Sequence, residues 1–313
     1  MIRRYMLLPL LLFTALMAEA QYDVSFSHYW AMEPSFNPAT AGKQDRVNIA
    51  GSYALQMAGF ENNPKTMYLA ADMPFLLGRS RHGAGVQLIN DNIGMFSHKR
   101  LGLQYAPQLR VAGGWLSGGL QITLLSETFD GSNLETPENN SDPVFSTSSV
   151  NGTGLDIGAG IYYRHRNWYA GVSALHLNAP TVNLGTTNEL EIAATYYLTG
   201  GYNIHMRNPF LTIYTSILGR TDGVAWRADV TARLQYAHEK KVIYGGLSYS
   251  PTNSVTAMVG GNIHGVHIGY AYEYYTTPGM GFGNGSHYLF AGYQIDLNLT
   301  KKGRNLHKSV RIL

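Results

Sequence analysis

The stretch VHIGYAYEYYTTPGMGFGNGSHYLFAGYQIDLNL, Val266 to Leu299, decides how the chain is read. Val266, Ile268, Tyr270, Tyr272 and Tyr274 alternate with His267, Gly269, Ala271 and Glu273. After the Gly-rich turn Thr276 to Gly285, Leu289, Ala291, Tyr293, Ile295, Leu297 and Leu299 alternate with Phe290, Gly292, Gln294, Asp296 and Asn298. A period of two marks strands. One face is apolar or aromatic, and the other holds glycine, amides, a carboxylate and a histidine. A soluble sheet hides its apolar face under a second layer, whereas a membrane barrel turns that face to lipid and its polar face to a lumen.

The same pattern runs back through the chain. Trp226, Ala228, Val230, Ala232, Leu234 and Tyr236 alternate with Arg227, Asp229, Thr231, Arg233 and Gln235. Leu155, Ile157, Ala159, Ile161 and Tyr163 alternate with Asp156, Gly158, Gly160, Tyr162 and Arg164. Fourteen strand-like runs are expected, near 46–58, 64–74, 82–91, 98–110, 114–128, 154–164, 167–177, 190–204, 209–219, 223–236, 241–250, 253–263, 265–275 and 286–299. The fold class is therefore all-β, a transmembrane antiparallel β-barrel of about 14 strands. The longest connections, 129–153, 178–189 and 276–285, are all odd-numbered, so they share one side of the membrane; most even-numbered ones are short. The exception is Phe75 to Arg81. Tyr and Trp gather near strand ends, where amphipathic rings suit the headgroup region.

Composition agrees. Only 14% of residues are charged, against about 25% in ordinary soluble domains. There are 35 Gly and 22 Tyr, and hydrophobic residues reach 45% without a run long enough for a spanning helix. No Cys is present, which excludes disulfides and thiol chemistry. Residues 1–20 read as a secretory signal: Arg3 and Arg4, an apolar core over Tyr5 to Met17, and Ala18-Glu19-Ala20 as the cleavage site. Residues 21–45 do not alternate and are expected to form an irregular periplasmic or plug-like segment, with the barrel over 46–299. Residues 300–313 form a basic periplasmic tail carrying Lys301, Lys302, Arg304, Lys308 and Arg311 and no acid. Both ends of the mature chain are thus expected in the periplasm of an outer-membrane protein.

Gly292, Ile295 and Leu297 resemble the C-terminal assembly signal of outer-membrane barrels, a glycine followed by apolar residues three and five positions on. A wider resemblance covers essentially the whole mature chain. Gln21-Tyr22-Asp23, Phe26-Ser27-His28-Tyr29 and Phe36-Asn37-Pro38-Ala39-Thr40-Ala41-Gly42 are similar to the opening motifs of the PorP/SprF family, outer-membrane barrels of the type IX secretion system in Bacteroidetes-type bacteria. Gly83-Ala84-Gly85-Val86 with Asn90-Asp91 and Gly94 resembles a second segment of that family. Asp156 to Tyr163, Gly171-Val172-Ser173 and His176-Leu177-Asn178 resemble its central hairpin, and Tyr270-Ala271-Tyr272 with Ser286-His287 its last one. Glu273 and Tyr288 depart from it, standing where many members have Asp and Glu.

The resemblance implies a non-enzymatic component of type IX secretion. Its partners would be periplasmic ring and peptidoglycan-binding components, secreted or surface-anchored cargo proteins, and outer-membrane lipid, with no nucleic acid and no cofactor. Phe36, Asn37, Pro38, Ala39, Ala41 and Gly42, with Lys308 and Arg311, are the candidate partner-binding residues. Asp72, Asp156, Arg164, Arg227, Asp229, Arg233 and Glu273 fall on the inward phase and are expected to form a lumenal polar network, since buried charges need partners. The alternative is a passive outer-membrane channel or small-molecule transporter plugged by the N-terminal segment. No nucleophile elbow, HExxH pair, P-loop or EF-hand loop appears. A hydrolase would have to draw on His98, Asp142, His176 and Ser286/His287.

Overall fold

A computed structural model describes residues 22–131, 149–185, 188–239, 241–251, 253–277, 283–297 and 299. The strands are β1 Arg46–Leu55, β2 Lys65–Leu77, β3 Ser80–Ile93, β4 Phe96–Val111, β5 Gly114–Asp130, β6 Ser149–Arg164, β7 Trp168–Leu175, β8 Thr181–Leu184, β9 Asn188–Glu191, β10 Thr195–His205, β11 Leu211–Thr221, β12 Trp226–His238, β13 Lys241–Ser250, β14 Ser254–Ile263, β15 Val266–Tyr275 and β16 Ser286–Asp296. Fourteen of them close an antiparallel barrel in which sequence neighbours pair, β7 pairs with β10, and β16 returns to β1. Closure runs in register from Arg46↔Asp296 to Leu55↔His287, which leaves no free barrel edge there.

Alternation fixes which way each side chain points. Leu103, Leu120 and Leu247 are 60–63% exposed on the outside, while Gln104, Gln121 and Ser248 between them are buried inside. The apolar surface is thus the outer one, as a lipid-facing barrel requires.

The two ends of the barrel differ. At one, which we call the turn end, connections are as short as Gly78-Arg79, Ala112-Gly113 and His264-Gly265. The last two pairs take positive φ at both residues, the conformation that matches strand twist. The expected exception at 75–81 disappears, because β2 and β3 each run further than their apolar alternation indicates and leave two residues to turn. At the other, loop end lie longer described connections, as in 56–64 between β1 and β2.

One connection is not simply a loop. Thr181–Leu184 and Asn188–Glu191 form a separate hairpin, β8–β9, in a region read as loop and as the start of a strand. Four residues are too few for alternation to register. The hairpin is held by burial of Val182 and Ile192 against Leu125, and by close approach to β6, where a Cβ at Gly152 would stand 2.2 Å from the Asn183 carbonyl oxygen.

The core of the molecule is the N-terminal segment, Tyr22 to Asp45, threaded through the lumen. Three single 3-10 turns, Tyr29–Ala31, Glu33–Ser35 and Pro38–Thr40, fold it into a wedge. Tyr22 bonds Glu127 near the loop end of β5, and Gly42 bonds Asp72 and packs on Gly83 towards the turn end. The segment therefore spans most of the lumen's height. Along this path Tyr22 lies near the loop end, while Asp296 and Leu297 are at the turn end beside Arg46 and Asp45. The polar wall is the physical reason for the path, because it supplies partners to irregular backbone along its whole length.

Candidate functional site: the lumenal plug and its anchors

Asn37 organises the turn-end half of the plug. Its backbone is extended and its Oδ1 accepts from the Ala39 N–H at 3.0 Å, capping the turn that Pro38 opens. Its Nδ2 donates to the Ile161 carbonyl at 3.3 Å. The barrel wall gives way to it: a Cβ at Gly160 would lie 2.2 Å from Asn37 Oδ1, and one at Gly171 2.9 Å from Asn37 Nδ2. The cradle continues with Gly119, whose Cβ would lie 2.1 Å from the Ala39 nitrogen, and Gly83, 1.9 Å from the Ala41 oxygen. Gly42 sits at φ +63°, where a side chain would be strained and would meet Met73 and Gly83 backbone. Its N–H donates to Asp72 Oδ2 at 2.7 Å, and its carbonyl accepts from Gln108 Nε2 at 2.9 Å. Ser173 Oγ donates to the Phe36 carbonyl at 2.6 Å, and Gln104 Nε2 to that of Pro34 at 2.6 Å.

The motif residues are consequently interior. Phe36, Asn37, Pro38, Ala39, Ala41 and Gly42 are all buried. In this arrangement they pack on the barrel wall, and a partner would reach them only by displacing the segment from its glycine cradle. Lys308 and Arg311 lie outside the described residues. Gly292 faces inward, Ile295 outward, and the Leu297 N–H donates to the Asp45 carbonyl at 3.0 Å, joining the end of β16 to the start of the wall.

A second anchor, near the loop end, holds Tyr22 and Asp23. The Asp23 carboxylate pairs with Arg100, accepts from the Tyr197 hydroxyl at 2.6 Å and lies 3.2 Å from His176 Nε2. His176 Nδ1 is 3.1 Å from Asp156. Arg220 Nη1 donates to the Asp23 carbonyl at 2.8 Å. Tyr22 donates to Glu127 at 2.5 Å, and Glu127 also pairs with His98. Burial alone would raise the Asp23 carboxyl, but the charge and hydrogen bond of His176, with Arg100 and Tyr197, hold it well below the usual carboxylate range. Burial opposes charge on His176 too, yet the Asp23 and Asp156 carboxylates lift it to about 9. At neutral pH Asp23, Arg100 and His176 are therefore all charged at the buried centre of the anchor.

The seven inward residues do not form one lattice. Arg227, Asp229 and Glu273 form a triad, with both carboxylates 2.9 Å from Arg227 Nη2. Glu273 also accepts from Tyr288 and Ser254, each at 2.5 Å. Asp156 serves His176, and Asp72 takes the Gly42 N–H and, at 3.1 Å, the Asn48 amide. Arg164 stands over Trp115, and Arg233 lies 3.4 Å from the Trp30 ring centroid. Asp23 entered the sequence reading only as part of the opening motif, and Arg100, Glu127, Tyr197 and Arg220 escaped it, although the inward phase of β4 and β5 already pointed Arg100 and Glu127 at the lumen. Of the residues a hydrolase would need, His98 and His176 both flank Tyr22, with ring centroids 5.3 Å away. Ser286 and His287 instead bond Tyr275 and Tyr270, and Asp142 lies outside the described residues.

Opening motif, Gly83 segment and central hairpin thus meet at one place in space. A family model, type IX secretion system membrane protein PorP/SprF, matches residues 18–293. The chain belongs to the PorP/SprF family. It is therefore a membrane component of type IX secretion, and family and barrel together place it in the outer membrane. No curated protein matches the chain. Among solved structures it is similar to the CymD monoaromatic hydrocarbon channel, at 11% identity over 91% of this chain and 97% of that one, with a TM-score of 0.51. It is also similar to a Pseudomonas aeruginosa FadL homologue (12% identity, 84% and 93% covered, TM-score 0.49) and to the P. putida toluene transporter TodX (10%, 84% and 93%, 0.49). At such identities the likeness to CymD speaks for the fold alone.

Proposed function

We propose that this PorP/SprF member is a plugged, non-enzymatic barrel that links periplasmic machinery to the export or surface anchoring of cargo proteins. One observation carries the reading: Tyr22 to Asp45 threads the lumen and is anchored near both ends, by the Asp23 cluster and by the glycine cradle. A barrel whose interior is packed by its own chain is suited to holding partners at its rims. The short turns and the basic tail then face the periplasm, where the ring and peptidoglycan-binding components dock, and the long loops meet cargo. That orientation follows the usual asymmetry of bacterial barrels.

The alternative is a small-molecule channel, favoured by nothing more specific than the shared fold with hydrocarbon channels. Two measurements separate them. In planar bilayers the full chain should carry no steady conductance, and gene deletion should abolish secretion of type IX cargo. Sustained conductance together with intact secretion would overturn the proposal and favour the channel. Deleting Ser309 to Leu313 should reduce secretion while the barrel still inserts, and unchanged secretion would remove the tail from the docking role.

A further inference from the structure

Charge is sorted between the two ends of the barrel. Exposed cations stand on turn-end connections, Arg79 between β2 and β3, Arg166 between β6 and β7, and Arg207 between β10 and β11. Glu61, Glu189, Glu191 and Asp222 lie at the loop end. The turn-end cations converge around one indole. Register sets Arg81 on β3 opposite Gln108 on β4, Arg110 on β4 opposite Trp115 on β5, and Trp115 opposite Arg164 on β6. The Arg81 and Arg164 guanidiniums lie over the Trp115 ring, 5.3 and 5.9 Å from its centroid. A cavity of about 510 Å³ opens here, lined among others by Leu76, Arg79, Arg81, Arg110, Trp115 and Leu297. Ligand sites generally span ~300–1,000 Å³.

The lining carries three guanidiniums, those of Arg79, Arg81 and Arg110, against one carboxylate, Asp45, which already pairs with Arg81. Arg81 also donates to the Gly42 and Lys43 carbonyls, at 3.3 Å each, and is committed to the plug. Arg79 and Arg110 are exposed, and neither guanidinium has an ion-pair or hydrogen-bond partner among the described residues. Accessible guanidinium forks of this kind take carboxylates bidentately.

The surroundings narrow the choice of occupant. On β4 Gln108 and Arg110 alternate with Leu109 and Val111; Gln108 is buried inside and Leu109 is exposed outside, so the Arg110 guanidinium is on the lumen side of the wall and lipid headgroups are on the other. The chain's own tail carries five cations, Lys301, Lys302, Arg304, Lys308 and Arg311, and no acidic side chain, so the site would repel it. A free inorganic anion would leave Leu76, Leu297 and the Trp115 ring uncovered. What fits is a chain that brings carboxylates and apolar side chains together.

From this arrangement we infer that the turn-end mouth around Trp115 docks an acidic segment of a partner protein. Carboxylates of the segment pair with Arg79 and Arg110, its apolar side chains cover Leu76, Leu297 and the indole, and Arg166 and Arg207 on the rim steer it in. The compartment the partner comes from rests on the docking reading above; its chemistry rests on the mouth itself.

The test uses the full mature chain, folded in a zwitterionic detergent and titrated by calorimetry with a peptide of Glu-Ser-Leu repeats. Saturable binding is expected, with no binding of the Gln-Ser-Leu counterpart. Arg79→Gln and Arg110→Gln should each weaken binding about tenfold, the scale of one hydrogen bond to a charged group. Arg207→Gln, which removes the same charge from the rim outside the cavity, should change it about twofold at most. The basic tail is present in every variant, so the differences report the cavity, and heat-modified gel mobility reports whether each barrel is folded. No saturable binding, equal binding of both peptides, or an Arg207→Gln effect as large as that of Arg110→Gln overturns the site. Displacement of the peptide by phosphatidylglycerol in mixed micelles overturns the partner class in favour of lipid, and displacement by an equal concentration of inorganic phosphate overturns it in favour of a free anion. Peptide binding is read on the purified chain and docking through secretion in cells, so either can fail without the other.

Discussion

Replacing Asp23 with Asn tests whether the buried ionic cluster is what keeps the plug seated. The change preserves shape and removes the charge that faces Arg100 and His176. Removing one partner of a buried ion pair costs roughly 3–5 kcal/mol, because the opposite charge stays behind without compensation. The wall is held by its own ladders, so the cost should fall on seating of the segment rather than on closure of the barrel. The chain has no Cys, so Ser25→Cys provides a single labelling site beside the anchor. Maleimide labelling in micelles should be faster in the Asp23→Asn background by about a hundredfold, the factor that ~3 kcal/mol represents. A pH arm sharpens the test. His176 rises from 6.5 to about 9 on folding, so its contribution, on the order of 3 kcal/mol, is complete below about 6.5 and disappears as pH climbs through 9. The Asp23 contribution runs the other way: it is present above the ordinary carboxylate value, about 3.9, and is lost as pH falls through the depressed folded value. Relative to a free thiol at the same pH, labelling should therefore be slowest between about pH 4 and 6.5 and accelerate as pH climbs towards 9, and Asp23→Asn should flatten that alkaline rise. Equal labelling rates with and without Asp23, while gel mobility reports an intact barrel, would refute the anchor.

Further outcomes follow from particular contacts. Gly119→Ala should lower thermal stability by about 1–3 kcal/mol through overpacking against Ala39, whereas Gly118→Ala, with nothing within 4 Å of the new carbon, should be neutral in the same melt. Arg227→Met should cost roughly 3–5 kcal/mol by leaving Asp229 and Glu273 charged and unpaired, and adding Glu273→Gln should recover part of it in urea titrations. Leu103→Arg should destabilise the protein in lipid bilayers by about 2–4 kcal/mol if it lies at the membrane midplane, read from folding titrations in vesicles.

Sequence alone determined the wall. Alternation at period two needs only local information, because inward and outward are set residue by residue once one face must meet lipid. It therefore gave the strand number and placed residues such as Asp229, Arg233 and Glu273 on the lumen side. It also gave an irregular segment before β1. What it could not supply was where that segment goes. Asn37 reads as a turn residue whether it lies in water or in a glycine cradle, and Gly83, Gly119, Gly160 and Gly171 lie on four different strands with no shared local signal. Asp23 meets Arg100, His176 and Tyr197 only after the chain has threaded the lumen, across separations of 77, 153 and 174 residues. Which charges pair is settled by closure of the barrel around its own N-terminal segment. Periodicity fixes the direction in which a side chain points, but only the tertiary structure decides what waits there.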